Sequence, residues 1–327
     1  MRFPQLYDRI GPSAVIELYD EWWSFFDTSL GEKCLNHMLD DLVVRRPEIA
    51  SALEHLGTPI ARMDYLKGIQ RHGVEPTGLE FVWISSDMTT LIVHAAASMP
   101  KQVFLPTDIP IRKAFVLFEV PVEWSDIFGD APRPHDDAWD EIHHIVGLSW
   151  IYMHFDPDGG SPSSLDHVFI ELYAPFGSPG PRIYQCPGVR TGFSLGDPSD
   201  PPLFAWEQEA TERFCAALWT LMQQRLSIVA QSNPERHARR RLEKKRSPVA
   251  ERLITTITLR ELNRHHSEHG VEASKVAWTH RWLVSGYWRN QWLSNVRAHR
   301  LQWVAPYTKG PVDKPLILKR RLYKLAR

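Results

Sequence analysis

The chain has 327 residues, 43% hydrophobic and 24% charged, which excludes a wholly disordered protein and allows more than one small core. Its net charge of −1 hides a split: from residue 234 onward there are 22 Lys and Arg against 7 Asp and Glu, a net of +15, while the first 233 residues carry a net of −16. Such asymmetry points either to halves that dock on each other or to a basic surface that meets nucleic acid.

The first residues, Met1-Arg-Phe-Pro4, lack the apolar stretch of a secretory signal, and no run approaches the ~18 apolar residues of a membrane span. The expectation is a cytoplasmic protein with no membrane association. Residues 13–56 read as helical, because Val15-Ile16, Leu18-Tyr19, Trp22-Trp23 and Phe25-Phe26 recur at helical spacing. From residue 80 the texture changes to short apolar runs at Phe81–Ile84, Lys113–Val120, Val146–Met153 and His167–Tyr173, separated by turn-rich segments. These predict an acidic α+β domain with an antiparallel sheet over residues 1–203.

Asp197-Pro-Ser-Asp-Pro-Pro202 breaks the chain. An amphipathic helix is expected from Ala205 to about Gln231, with Trp206, Ala210, Phe214, Ala217, Leu218, Leu221, Met222 and Val229 on one broad stripe. The run Glu235 to Arg246 continues it as a solvated helix or forms a flexible basic linker, so residues 204–248 make a connecting segment. Residues 249–327 read as a basic β-rich module, with strands at Leu253–Leu262, Lys275–Val284, Tyr287–Trp292, Leu301–Tyr307 and Pro315–Leu325. The fold class is therefore α+β.

The three cysteines, Cys34, Cys186 and Cys215, are odd in number and far apart, so neither a disulfide framework nor a cysteine zinc site is expected. The run from His135 to His144 would place Asp136, Asp140 and His144 on one helical face, and His265 to His269 is also rich in imidazoles. Neither completes a metalloenzyme spacing, and there is no P-loop, GxGxxG, GxSxG or HExxH. No metal or cofactor is expected.

The densest chemistry lies in Trp278-Thr-His-Arg-Trp-Leu-Val-Ser-Gly-Tyr-Trp-Arg-Asn-Gln-Trp292. Five of the 13 Trp fall between 278 and 303, interleaved with Arg281, Arg289, Arg297 and Arg300. Aromatic rings accept stacked bases, and guanidinium groups bind phosphate or stack as planes. The nucleic-acid candidates are Arg281, Trp288, Arg289, Gln291, Trp292, Arg297, Arg300, Trp303 and Lys309. Flexible single strands expose their base faces, which favours single-stranded RNA as the partner. Trp278 and Trp282, on one strand face, read as core; Tyr287, Arg289 and Gln291 read as exposed, opposite Trp288 and Trp292. His280, His299, Tyr287 and Arg289 also have the residue types of a metal-independent ribonuclease, which needs a base, an acid and a cation for the phosphate.

The same run, with the basic strand that follows around Trp303 and Pro306, resembles a module of phage and plasmid proteins whose core reads Gly-His-Trp-Arg after an upstream His. Its best-known family is the type V-A anti-CRISPR proteins, which lower synthesis of a target nuclease by destabilising its mRNA. The resemblance covers about the last 50 residues. It implies a mobile-element protein acting on RNA, and marks His280, Gly286, Tyr287, Trp288, Arg289 and Trp292. Tyr287 stands where His is usual, which removes the ordinary acid–base group from that position.

These readings make the chain a phage- or mobile-element-type nucleic-acid-binding regulator, with RNA as the favoured ligand and the acidic half available to a protein partner; promotion of mRNA decay is what the resemblance adds. Two alternatives stay open. Trp, Tyr and Arg are also the anchors of protein interfaces, so a pure protein-interaction module fits the composition. A DNA-binding regulator is disfavoured because the basic part shows no helix-turn-helix.

Overall fold

The computed structural model describes residues 11–33, 35–36, 67, 75–100, 105–129, 144–155, 165–175, 183–195, 205–260, 281–284, 286–294, 297–304, 307–311, 314 and 316–317. The fold is α+β, built on a seven-stranded mixed sheet. In chain order its strands are β1 (Glu80–Ile84), β2 (Lys113–Glu123), β3 (His144–Phe155), β4 (Leu165–Pro175), β5 (Ile183–Leu195), β6 (Ser227–Ser232) and β7 (Ile254–Leu259), arranged β5-β4-β3-β2-β1-β7-β6. The four strands from β2 to β5 are antiparallel to one another, as expected for the runs in β2, β3 and β4; β5 is not expected from the sequence. β1 is different: it lies parallel to both β2 and β7.

Phe81-Val-Trp-Ile84 is a continuous apolar run with every residue buried, and the chain leaves it through a helix rather than a tight turn, the connection that parallel pairing requires. A strand covered on both faces has no polar side to alternate with. The crossover from β1 to β2 is made by α2 (Ser86–Ala97), which buries Met88, Leu91, Ile92, Ala95 and Ala96 at helical spacing. β7 comes from the basic C-terminal part and sits inside the sheet, between β1 and β6. The sheet therefore takes strands from all three of the segments that composition delimits.

Helices cover both faces. On one side α1 (Ala14–Phe25) presents Tyr19 and Trp22 to Phe81, Phe115 and Tyr173 in edge-to-face contacts 5.0–5.5 Å apart. On the other side α2, the short α3 (Trp124–Phe128) and α4 (Ala205–Met222) pack over Val82, Ile84, Val116, Phe118, Leu148 and Trp150. Gly147 permits the close pairing of β2 with β3, because a Cβ there would stand 2.3 Å from the Val116 carbonyl oxygen.

The amphipathic helix ends sooner than its pattern predicts. α4 stops at Met222, where the Ser227 hydroxyl donates to the Leu221 carbonyl at 2.5 Å. Ile228 and Val229, both β-branched, then enter edge strand β6 and pair with Thr258 and Ile257. The run after Pro234 is neither a continuation of α4 nor a linker. It is a separate helix, α5 (Arg236–Lys244), whose Ala238 and Leu242 are buried, Leu242 in the core cluster that α1 also joins.

The opposite charges of the two parts meet here. Arg241 pairs with Glu17, and the Lys245 ammonium lies 3.2 Å from Asp20, which is almost fully buried. Docking of basic on acidic segments is thus real for these residues. Among the described residues no helix is long and apolar enough to cross a membrane, and no group of three or more His, Cys, Asp or Glu stands together as metal ligands do. The runs 135–143 and 265–269 lie outside the described residues; His144 opens β3 and meets Glu123 at 3.0 Å.

Two buried groups make the fold sensitive to alkali. Burial, reinforced by the Glu171 carboxylate, pushes the Tyr173 phenol well above its ordinary 10.0. Burial, with Glu212 nearby, likewise raises the Cys215 thiol above its ordinary 9.0. In the unfolded chain both ionise near those ordinary values, while the folded protein keeps them protonated. Their contribution is therefore complete below about pH 9 and is lost as pH rises further. The urea midpoint is expected to fall between about pH 9 and pH 11, and to fall less steeply in Tyr173→Phe.

Candidate nucleic-acid interface

The aromatic and arginine run forms a hairpin of β9 (Tyr287–Leu293) and β10 (Ala298–Val304), paired from Tyr287–Val304 to Leu293–Ala298. Alternation along a strand sends successive side chains to opposite faces. Trp288, Asn290 and Trp292 therefore share a face with His299, Leu301 and Trp303. Tyr287, Arg289, Gln291 and Leu293 share the other with Ala298, Arg300, Gln302 and Val304.

The first face anchors the hairpin. Trp303 is 5% exposed and Trp288 meets it edge-on, with ring centres 5.2 Å apart. The Trp288 indole N–H donates at 2.9 Å to the Ala95 carbonyl in the last turn of α2, which also accepts from the Ser98 N–H and hydroxyl. These rings and Leu301 join the core cluster that contains α2 and α4. This explains why Phe214 to Trp219 are all buried in α4: the sheet lies beneath the helix and the hairpin above it. Farther along the same face Trp292 is 50% exposed, with the His299 ring edge-on at 5.0 Å.

The second face is polar and open. Tyr287 is 41% exposed, and Arg289, Arg300 and Gln302 are exposed beside it. The Arg289 guanidinium donates to the Gln302 side-chain oxygen at 3.2 Å, so its planar group is held against the sheet. Arg300 reaches Asp108 at 3.5 Å across to the turn Pro106–Asp108. Gln291 is half-buried, and its amide donates to the Trp292 carbonyl. At the tip, Arg297 closes the turn with φ of 49°, a left-handed conformation that ordinarily favours Gly or Asn.

Arg281 and Lys309 belong to a neighbouring three-stranded sheet of β8 (Arg281–Val284), β11 (Tyr307–Lys309) and β12 (Leu316–Ile317). Arg281 donates to the Lys314 carbonyl at 2.8 Å, and Lys309 is exposed.

The hairpin thus brings together Tyr287, Arg289, Gln291 and Arg300 on one surface, with Trp292 and Arg297 at its end. Trp288 and Trp303 act from beneath as its anchors. Of the ribonuclease candidates, Tyr287 and Arg289 point one way while His299 projects from the opposite face, and His280 and Trp278 lie outside the described residues. Gln302, which steadies Arg289, escaped the sequence reading. The only signal for it was the cross-strand register, which depends on where the turn falls.

No protein-family model matches the chain, and no curated protein matches it. Among solved structures, one described as the crystal structure of AcrVA2 is a weak neighbour. It covers 90% of this chain and 98% of its own length, at a TM-score of 0.41 and 12% sequence identity.

Proposed function

We propose that the chain is an RNA-binding regulator whose β9–β10 hairpin takes a single strand on its outer face and tip. The observation that carries the reading is the exposure of Tyr287 on the outer face and of Trp292 near the tip, on the opposite face, of a hairpin whose other two rings are committed to the core. Exposed large rings cost solvation unless something covers them, and unpaired bases are flat partners that any sequence supplies. Arg289, Arg297 and Arg300 lie alongside for the phosphates; among the described residues Arg289 is held by Gln302 and Arg300 makes a 3.5 Å contact with Asp108. A closed duplex would offer no base faces to the rings, so the preference is for single strands. Messenger RNA as the strand and decay as the outcome rest only on the resemblance read in Gly286-Tyr-Trp-Arg289, which no family model matches.

The test uses the full chain, because the hairpin is held by α2 and α4. Labelled single-stranded RNA, duplex RNA and duplex DNA are titrated across a salt series, and the same samples are checked for cleavage. The expected result is tighter binding of the single strand, with log affinity falling against log salt by about 0.7 per neutralised phosphate. Binding of none of the three, even at low salt, would overturn the reading and leave the rings to a protein partner.

A further inference from the structure

Helix α5 carries a second basic surface, turned away from the hairpin. At about 100° per residue, Arg236, Arg240 and Lys244 fall in one arc diametrically opposite the buried Ala238 and Leu242. They recur every fourth residue, so about 6 Å separates each from the next along the helix. Arg241 and Lys245, at the flank, pair with Glu17 and Asp20, and Arg239 pairs with Glu243. The outward three have no ion pair among the described residues and are exposed.

Such a stripe works against the fold that carries it. Like charges four residues apart repel, and Arg236 in the first turn opposes the positive end of the helix dipole, which Glu235 at the N-cap offsets in part. The helix end repeats the pattern. Its last turn closes with Ser247 N–H donating to the Leu242 carbonyl and Arg246 N–H to that of Glu243. That arrangement places residue 246 in the left-handed region, where Gly is the usual occupant. Here the residue is Arg246, at φ of 56° and exposed. Among the described residues, only Arg246 and Arg297 are non-glycines with positive φ. Both are arginines, one beside each basic surface. Backbone strain accepted for the sake of a cation is what an anion-binding site retains.

We infer that the outward face of α5, with Arg246, is a second phosphate-contacting surface for the same RNA, on the opposite side of the central sheet from the hairpin. The inference rests on the RNA reading above. The opposite placement follows from packing: α5 lies with α1 over Phe81 and Phe115, whereas the hairpin lies over α2 and α4. Insertion into a membrane is excluded as its role, because the only apolar face of α5 is already spent on the core.

The experiment compares three full-length proteins on one labelled single-stranded RNA: the natural chain, a stripe variant (Arg236→Gln, Arg240→Gln, Lys244→Gln) and a hairpin variant (Tyr287→Ala, Trp292→Ala). The stripe variant is expected to bind at least about tenfold more weakly at low salt, and to lose about two units of slope in log affinity against log salt. Its Tm should be unchanged or higher, since repulsion has been removed. Arg246→Gly should likewise keep or raise the Tm while weakening binding. An unchanged slope in the stripe variant, with the hairpin variant impaired, would overturn this inference and leave the hairpin reading intact. If the natural chain fails to bind, both fall.

Discussion

Replacing Trp22 with alanine is expected to destabilise the protein by about 3–5 kcal/mol, a large share of the about 5–15 kcal/mol that holds an ordinary domain. Trp22 is fully buried, and it meets Phe26 and Tyr173 edge-to-face at 5.5 Å. It also ties α1 to the sheet, so the cavity cannot collapse without moving the helix that carries Glu17 and Asp20 to their partners, Arg241 and Lys245. Trp22→Phe should cost less, about 1–2 kcal/mol. The indole N–H of Trp22 finds no acceptor among the described residues, and phenylalanine removes that unsatisfied donor. Urea unfolding at constant slope reads both values. A Trp22→Ala stability within about 1 kcal/mol of the natural chain would mean that α1 is not integral to the core.

The double variant Tyr287→Ala, Trp292→Ala carries the largest functional effect. Each ring that stacks on a base contributes about 1–3 kcal/mol, so losing both should weaken single-stranded RNA binding at least about thirtyfold, or roughly 2 kcal/mol. Both side chains are about half exposed, so folding is expected to survive, with a urea midpoint close to that of the natural chain. The slope against log salt should hardly change, because rings release no counterions. Removing Arg297 or Arg289 should do the reverse, lowering the slope by about 0.7 for each phosphate left without its cation. Equal weakening for single-stranded and duplex RNA in the ring variant would count against stacking and for a general electrostatic attraction.

Much of this was legible in the chain itself. The strands Phe81–Ile84, Lys113–Val120, Val146–Met153 and His167–Tyr173 announce themselves through local patterns of apolar residues, and each lies within an observed strand. The helical spacing of Val15 to Phe26 and of Ala210 to Met222 is equally local. Exposure of Tyr287 and Arg289 opposite Trp288 follows from strand alternation alone, since side-chain direction has a period of two. The charge split needs only counting.

Other features depend on contacts far apart in sequence. Nothing local in Ile254–Leu259 reveals that this strand lies between β1 and β6, because strand order is set by which edges meet once helices cover both faces. Nor does the run after Pro234 show which of its cations face Glu17 and Asp20 and which are left outward. That division follows from burying Ala238 and Leu242, which fixes the rotation of α5. Trp288, Trp292 and Trp303 look alike in sequence and lie on one hairpin face, yet two are packed into the core and one is half exposed. The difference is what packs beneath them: Trp288 and Trp303 join the cluster around α2 and α4, while Trp292 pairs with His299 towards the tip. Sequence marked the total charge and the strongly periodic elements, because propensity and periodicity act within a few residues, but it missed α2, α3 and β5 and ran α4 on through β6. Only the tertiary structure decided which rings and cations remain available to a ligand, because burial is a property of what packs on top.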